Sequence, residues 1–252
     1  MSIDIKPKTL LEFFTFISGN DPVCIACKRT KGKDYVFRSG KVCICTDCHS
    51  RLPIEPHGHF TPLTINSSSK TLPSAVSILE YSGLAKSIIS DYKFKNNPKY
   101  AEVLGQYLSS LLSILNSEDP IFDNETLVTA IPLPNARKCE RAYNQAELIA
   151  KRAASDLCLT YDATLLQRAK DPKSRQSTLN LSQRLENLKG TFKAGNHAKD
   201  KTIIVVDDII TTGTTLREAT NTLLDAGARI VIPVALATDV LKKPSQEYNM
   251  IR

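Results

Sequence analysis

No run of about eighteen apolar residues, the length that a membrane-spanning helix needs, occurs in this chain. The apolar stretch Leu10–Ile17 is short, contains Glu12 and lacks a cleavage context, so it reads as a packing segment rather than a signal peptide. The location expected is cytoplasmic. Two common phosphate-binding signatures are missing: there is no Gly-Lys-Ser/Thr of a Walker loop and no Gly-x-Gly-x-x-Gly of a dinucleotide turn. No Ser-His-Asp or Cys-His arrangement with supporting spacing exists, which leaves covalent hydrolysis without a candidate. An aromatic-interleaved basic pattern of the kind that grips single strands is also absent, with Tyr35, Phe37 and Phe60 the nearest stacking candidates. The 7 cysteines are odd in number and unevenly placed, against a secreted disulfide framework.

Those cysteines carry a different message. Cys24-x-x-Cys27 and Cys45-x-x-Cys48, with residues 28–44 between them, have the spacing of a four-thiolate zinc site. Each pair turns two sulfurs toward one ion, and two such turns close a tetrahedron. Cys43 is an alternative donor, and His49, His57 or His59 could replace a cysteine. Cys139 and Cys158 stand apart from the cluster. The segment from 20 to 60 has little apolar periodicity, so it is expected to need its metal to fold.

At 252 residues with 42% hydrophobic and 23% charged residues, the chain suits one medium globular domain with a small appendage. A formal net charge of +7 favours a phosphorylated or polyanionic ligand. Much of that charge lies in one stretch, Arg168, Lys170, Lys173, Arg175, Arg184, Lys189 and Lys193, opposed only by Asp171 and Glu186. The division expected is an N-terminal segment with a zinc ribbon over 1–60, a linker over 61–71 and a main domain over 72–252. Within that domain a strand is expected at 75–81, a short helix from Leu84 toward Tyr92, and a long helix opened by Pro98. The long helix places Ala101, Leu104, Leu108, Leu111, Leu112 and Leu115 on one face. Strands at 127–131, 202–206 and 230–235 alternate with helices, at 144–154 with an Asn144/Glu147 capping box and at 215–226. Repeated strand–helix units predict an α/β fold with a parallel sheet flanked by helices, whose ligands sit beyond the strand C-termini.

The run 203–215, Ile-Ile-Val-Val-Asp-Asp-Ile-Ile-Thr-Thr-Gly-Thr-Thr, is the most informative in the chain. A buried strand ends in two carboxylates, and a hydroxyl-rich turn then leads into a helix N-terminus, where unpaired N–H groups converge on an anion. Asp207 and Asp208 cannot bind that anion, but they suit the hydroxyls of a sugar or a metal held through water. A sugar phosphate is the ligand class expected.

This run resembles the signature of type I phosphoribosyltransferases, and the likeness extends along the chain. The two cysteine pairs, Tyr92-Lys93-Phe94-Lys95, Ile131-Pro132-Leu133-Pro134, Arg141-Ala142-Tyr143-Asn144-Gln145-Ala146-Glu147, and then Arg168, Gln176, Arg184, Asn187, Gly190 and Phe192 together resemble the ComF family. The chain departs from that pattern at Ala142 and at Asn96-Asn97, where the family usually has glycine; asparagine tolerates the positive φ that glycine permits. The resemblance implies a type I phosphoribosyltransferase-like fold with an N-terminal zinc ribbon. It also implies phosphoribosyl pyrophosphate or a related ribose phosphate as ligand, with magnesium. Asp207 and Asp208 would take the ribose hydroxyls, and Thr211, Thr212, Gly213, Thr214 and Thr215 the 5′-phosphate. Asn135, Ala136, Arg137 and Lys138 would form the pyrophosphate loop, and Arg168, Lys173 and Arg175 would neutralise the leaving pyrophosphate from a mobile loop. A role in natural competence and DNA uptake is implied as well. The alternative is a non-catalytic nucleotide sensor that binds single-stranded DNA and competence proteins.

Overall fold

A computed structural model of the chain describes residues 21–63, 74–135, 137, 142–170 and 189–239. The centre is β10 (Thr202–Ile210), whose first five residues are all buried because parallel strands are covered on both faces. It pairs in parallel with β11 (Ile230–Thr238) on one side and β6 (Leu127–Ala130) on the other. Beyond β11 lie β5 (Ser74–Glu80), also parallel, and then β4 (Ile54–Pro62), antiparallel at the edge. Beyond β6 lies the short parallel β7 (Thr160–Tyr161). The sheet thus has six strands in the order β4-β5-β11-β10-β6-β7.

Alternation along β10 sends Ile204 and Val206 into one apolar cluster and Ile203 and Val205 into another. The first cluster is built with α2 (Gly83–Phe94), α3 (Tyr100–Glu118) and α4 (Gln145–Asp156). The second uses α5 (Thr214–Asp225) and the antiparallel pair β8 (Leu166–Arg168) and β9 (Phe192–Ala194). The chain leaves β6 through α4 toward β7 and leaves β10 through α5 toward β11, in opposite directions across the sheet. The C-terminal ends of β6 and β10 therefore flank a topological switch point, where such sheets open a crevice.

The cysteine module is small. β1 (Val23–Cys24), β2 (Phe37–Ser39) and β3 (Val42–Ile44) form a three-stranded sheet, and the one-turn α1 (Thr46–His49) follows. It is not a separate unit. Ile25, Ile44 and Leu52 are buried in the same cluster as α2 and α3. Phe37 packs edge-on against Tyr107 with centroids 4.7 Å apart, and His49 Nδ1 meets the Tyr107 hydroxyl at 2.7 Å.

Several expectations shift. Residues 54–60, assigned to the N-terminal segment, and 61–62, assigned to the linker, form β4 of the main sheet; 64–71 lie outside the described residues. Pro56, Gly58 and Pro62 are poor strand formers, but an edge strand tolerates the donors that its prolines lack, and the register slips between Ile54 and His59, the stretch that holds Pro56 and Gly58. β10 and β11 both run three or four residues past their expected ends, so Asp207 and Asp208 are inside a strand rather than after it. No capping box forms: Asn144 Nδ2 donates to Ile131 O at 3.0 Å, and Glu147 instead pairs with Lys151 at 2.7 Å. The long helix keeps its expected face, with Ala101, Leu104, Leu108, Leu111 and Leu112 buried. Asn96 has φ 50, the left-handed conformation that a glycine would otherwise supply.

α3 and α4 pack tightly at Gly105. A Cβ there would lie 2.5 Å from Arg152 Cβ and 3.1 Å from Ile149 O. Alanine gains about 1 kcal/mol in helix propensity, whereas overpacking a fixed crossing costs about 1–3 kcal/mol. Gly105→Ala is expected to be net destabilising, read as a lower urea midpoint with an unchanged slope; a raised midpoint would show that the helices separate freely.

Candidate functional site

The Sγ atoms of Cys24, Cys27, Cys45 and Cys48 all lie within 4.8 Å of one another, with three of the four residues buried. A tetrahedral site with metal–sulfur bonds of about 2.3 Å needs sulfurs roughly 3.8 Å apart, so small adjustments close the cluster on one ion. Cys43 is in the β1–β3 ladder opposite Cys24 and outside this group. None of the histidines joins it: His49 is held by Tyr107 and His57 pairs with Glu118 at 2.8 Å. Burial first, then the neighbouring sulfurs, push the Cys48 thiol up to about 12. Against the same burial, N–H donors from Cys45, Cys27 and Ala26 hold the Cys24 thiol down at about 7. Four crowded sulfurs do not ionise together without a cation, which is the chemistry a metal supplies.

The second site is at the switch point between the C-terminal ends of β6 and β10. Asp207 is half-buried, and its Oδ1 accepts from Asp208 N at 2.8 Å. Burial and then the charge of Asp208 push the Asp207 carboxyl up to about 7, against the Asp208 N–H, Lys93 and Arg137. Asp208 is held by Lys93, which comes from the last turn of α2 with Nζ 2.9 Å from Oδ2. Lys93 belongs to the Tyr-Lys-Phe-Lys segment, yet spacing alone gave no reason to join it to an acid more than a hundred residues away. Tyr92 beside it is fully buried; its hydroxyl donates to Gln145 O at 2.9 Å, and its own carbonyl accepts from the Tyr143 hydroxyl.

After β10 the chain turns through Thr211, Thr212 and Gly213 into α5. Gly213 is the N-cap residue, with φ 71, and no side chain caps the helix. An L-residue in that conformation costs about 1–2 kcal/mol, and a Cβ would lie 2.7 Å from Leu63 Cδ2. Thr212 and Thr214 share a hydroxyl contact at 3.0 Å at the mouth of this turn, and Thr215 follows in the first turn of α5. A helix start without a capping side chain, beside two acids, offers donors for a phosphate next to acceptors for a sugar.

The loop after β6 enters the same crevice. Asn135 and Arg137 are described, whereas Ala136 and Lys138 lie outside the described residues. So do Lys173 and Arg175, with all of 171–188. Arg168 faces the loop root: Nε and Nη2 donate to Pro132 O at 3.2 and 2.9 Å, and its guanidinium stacks on Phe192 at 4.9 Å. These contacts make it a brace for the loop. Of the stacking candidates, Phe37 is packed against Tyr107, Tyr35 lies under Arg38, and Phe60 is 57% exposed. Among the described residues no helix is long and apolar enough to cross a membrane.

The raised Asp207 predicts a trade of stability for function. With its folded value above the unfolded one, the folded state holds the extra proton between them, so stability falls as pH rises from about 4 to about 7 and is then flat. Each unit of displacement is about 1.4 kcal/mol. Asp207→Asn, which keeps the acceptor for Asp208 N, is expected to be more stable than the parent in urea at pH 8 without ligand, and to lose that advantage near pH 4. Equal midpoints at both pH values would contradict a strained carboxylate here.

Residues 144–250 match the family model described as the phosphoribosyl transferase domain. Competence protein ComFC of Bacillus subtilis (strain 168) is 26% identical over 228 residues, covering 81% of this chain and 90% of that protein. DNA utilization protein YhgH of Escherichia coli (strain K12) is 24% identical over 214 residues, covering 84% and 88%. Among solved structures, the glutamine phosphoribosylpyrophosphate amidotransferase from B. subtilis complexed with ADP and GMP overlaps with a TM-score of 0.36 at 16% identity, over 57% of this chain and 30% of that one. The acidic strand thus lies within a stretch that matches the phosphoribosyl transferase domain, and the chain is similar to a competence protein and a DNA utilization protein along more than four fifths of its length.

Proposed function

We propose that the crevice binds phosphoribosyl pyrophosphate, or a related ribose phosphate, together with magnesium, and that the protein serves natural competence and DNA uptake, as the names of its relatives suggest. The observation that carries the ligand assignment is the Asp207–Asp208 pair standing beside the uncapped start of α5 at the switch point of the sheet. Asp207 and Asp208 hold the ribose hydroxyls. Thr211, Thr212, Gly213, Thr214 and Thr215 take the 5′-phosphate, and Asn135, Ala136, Arg137 and Lys138 take the pyrophosphate. Lys173 and Arg175 close over that group, and Arg168 braces the loop that receives it.

Magnesium fits a cleft in which two carboxylates meet a triphosphorylated sugar, and when bound it offsets the charge of the departing pyrophosphate. If the site turns over, the C1–O bond to pyrophosphate breaks through an oxocarbenium-like centre and C1 joins a nucleophile. The carboxylates orient the sugar in that step and do not attack it.

Calorimetric titration with phosphoribosyl pyrophosphate and magnesium is the direct test. Binding is expected for the parent, with Asp207→Asn and Asp208→Asn each weakening it by about 1–3 kcal/mol through loss of a charged acceptor. Unchanged affinity in the double variant would remove the ribose site. Pyrophosphate release with an acceptor screen then separates a transferase from a nucleotide sensor.

We assign zinc to the cysteine cluster on its four-sulfur donor set. Elemental analysis is expected to give about one zinc per chain, lost in the Cys45→Ser/Cys48→Ser double variant. Because the cluster shares its core with α2 and α3, stripping the metal is expected to lower the melting temperature of the whole protein in a single transition. Full metal occupancy in the double variant, or a main-sheet transition indifferent to chelation, would overturn this.

A further inference from the structure

The first cysteine knuckle continues into a contact with the ribose-phosphate side of the molecule. Lys28, directly after Cys27, is left-handed with φ 62, and its N–H closes the knuckle on Cys24 O at 2.9 Å. Its ammonium donates to Ile25 O at 2.6 Å, to Asp91 Oδ2 at 2.8 Å and to the Tyr100 hydroxyl, which engages all three of its N–H bonds. Asp91 is in α2, two positions before Lys93, the residue that holds Asp208 at 2.9 Å.

Residues two apart on a helix point to opposite sides, so α2 is gripped by the cysteine module on one side and reaches the acidic pair on the other. Between the two contacts only about 3 Å of helix intervenes, a span over which a hydrogen-bonded turn does not flex. Tyr92 fixes the same turn from within the core through Gln145 O. A displacement of the knuckle that carries this turn with it is thus a displacement of the Lys93 ammonium relative to Asp208.

We propose that Lys28 is a positioning residue that couples the metal knuckle to the ribose-phosphate cleft, with the last turn of α2 as the strut between them. The inference rests on the ribose-phosphate reading of that cleft. It adds that the metal sets ligand affinity as well as fold, and that the ligand in turn tightens metal binding, because a coupling free energy acts equally in both directions. The Lys28–Asp91 pair is partly exposed, with side-chain accessibilities of 48% and 14%, and such pairs contribute little to stability. Its removal therefore separates coupling from folding.

The test compares Lys28→Met with Lys95→Met. Lys95 bonds the other oxygen of the same Asp91 carboxylate at 2.8 Å, so both variants remove one positive charge from Asp91 but only one cuts the link to the knuckle. On zinc-loaded full-length protein, the readouts are the phosphoribosyl pyrophosphate dissociation constant with magnesium and the zinc affinity by chelator competition with and without that ligand. Lys28→Met is expected to keep its zinc and its melting temperature, to bind the ligand about fivefold more weakly or worse, and to lose the ligand-dependent gain in zinc affinity. Lys95→Met is expected to match the parent in both.

Equal affinity in Lys28→Met and the parent would overturn the coupling while leaving the ribose site intact. Equal losses in the two variants would also overturn it, since a diffuse charge effect would then suffice. A parent protein that binds no phosphoribosyl pyrophosphate would overturn the ribose-phosphate reading itself, and the coupling with it.

Discussion

Two adjacent carboxylates inside a strand that is still paired to its neighbour form the constraint around which the rest is arranged. Asp207 is in register with Ala235 of β11, so neither acid can swing out into a flexible loop to find water. Buried charge without a partner is expensive, and compensation has to come from fixed groups. The Asp208 N–H serves Asp207, and Lys93 serves Asp208. The compensation is incomplete, since Asp207 still prefers its proton well above the usual carboxylate range. A site left short of positive charge suits a cation or a set of hydroxyl donors, and it costs the free protein stability.

Lys93 can do this only if the last turn of α2 is held against the sheet end, and most of the contacts around that turn serve to hold it there. Tyr92 is sunk into the core, Tyr143 caps its carbonyl, and Asp91 receives Lys28 from the cysteine module. The cysteine module supplies one of these contacts while drawing on the same apolar cluster for its own burial. With Ile25, Ile44 and Leu52 as its buried aliphatic residues, it has little core of its own, and it obtains the remainder from α2 and α3. The cysteine module and the main domain share one core for that reason.

The parts legible in the sequence were those set by short-range rules. Cysteine spacing located the four-sulfur cluster, β-branched runs located β6, β10 and β11, and the 3.6-residue period located the buried face of α3. Asn96 was readable too, as a residue that tolerates positive φ. Features set by tertiary contacts were not. β4 contains two prolines and a glycine, and only its place at a sheet edge makes a strand of them. Asn144 looked like a helix cap because its neighbours fit one, but the Ile131 carbonyl just past β6 takes its amide instead. The link from Lys93 to Asp208 joins elements that are adjacent only because β5, β11 and β10 are neighbours.

The loop after β6 shows how the crevice is kept open. Ile131 still donates to Val206 O at 2.9 Å, but Pro132 has no N–H, so the ladder must end there. Ending a buried strand leaves carbonyls that need donors. Asn144 Nδ2 supplies Ile131 O, and Arg168 supplies Pro132 O through two of its nitrogens. Side chains from the N-cap of α4 and from β8 thereby replace what a further strand residue would have provided, and both carbonyls keep a donor. The opposite wall differs, because β10 continues to Ile210 and its turn is set by the left-handed Gly213. One wall is thus fixed by side chains borrowed from elsewhere and the other by the backbone of a single glycine. Substituting that glycine would distort the turn into α5 itself, whereas loosening Arg168 or Asn144 would move the facing loop and leave the turn in place.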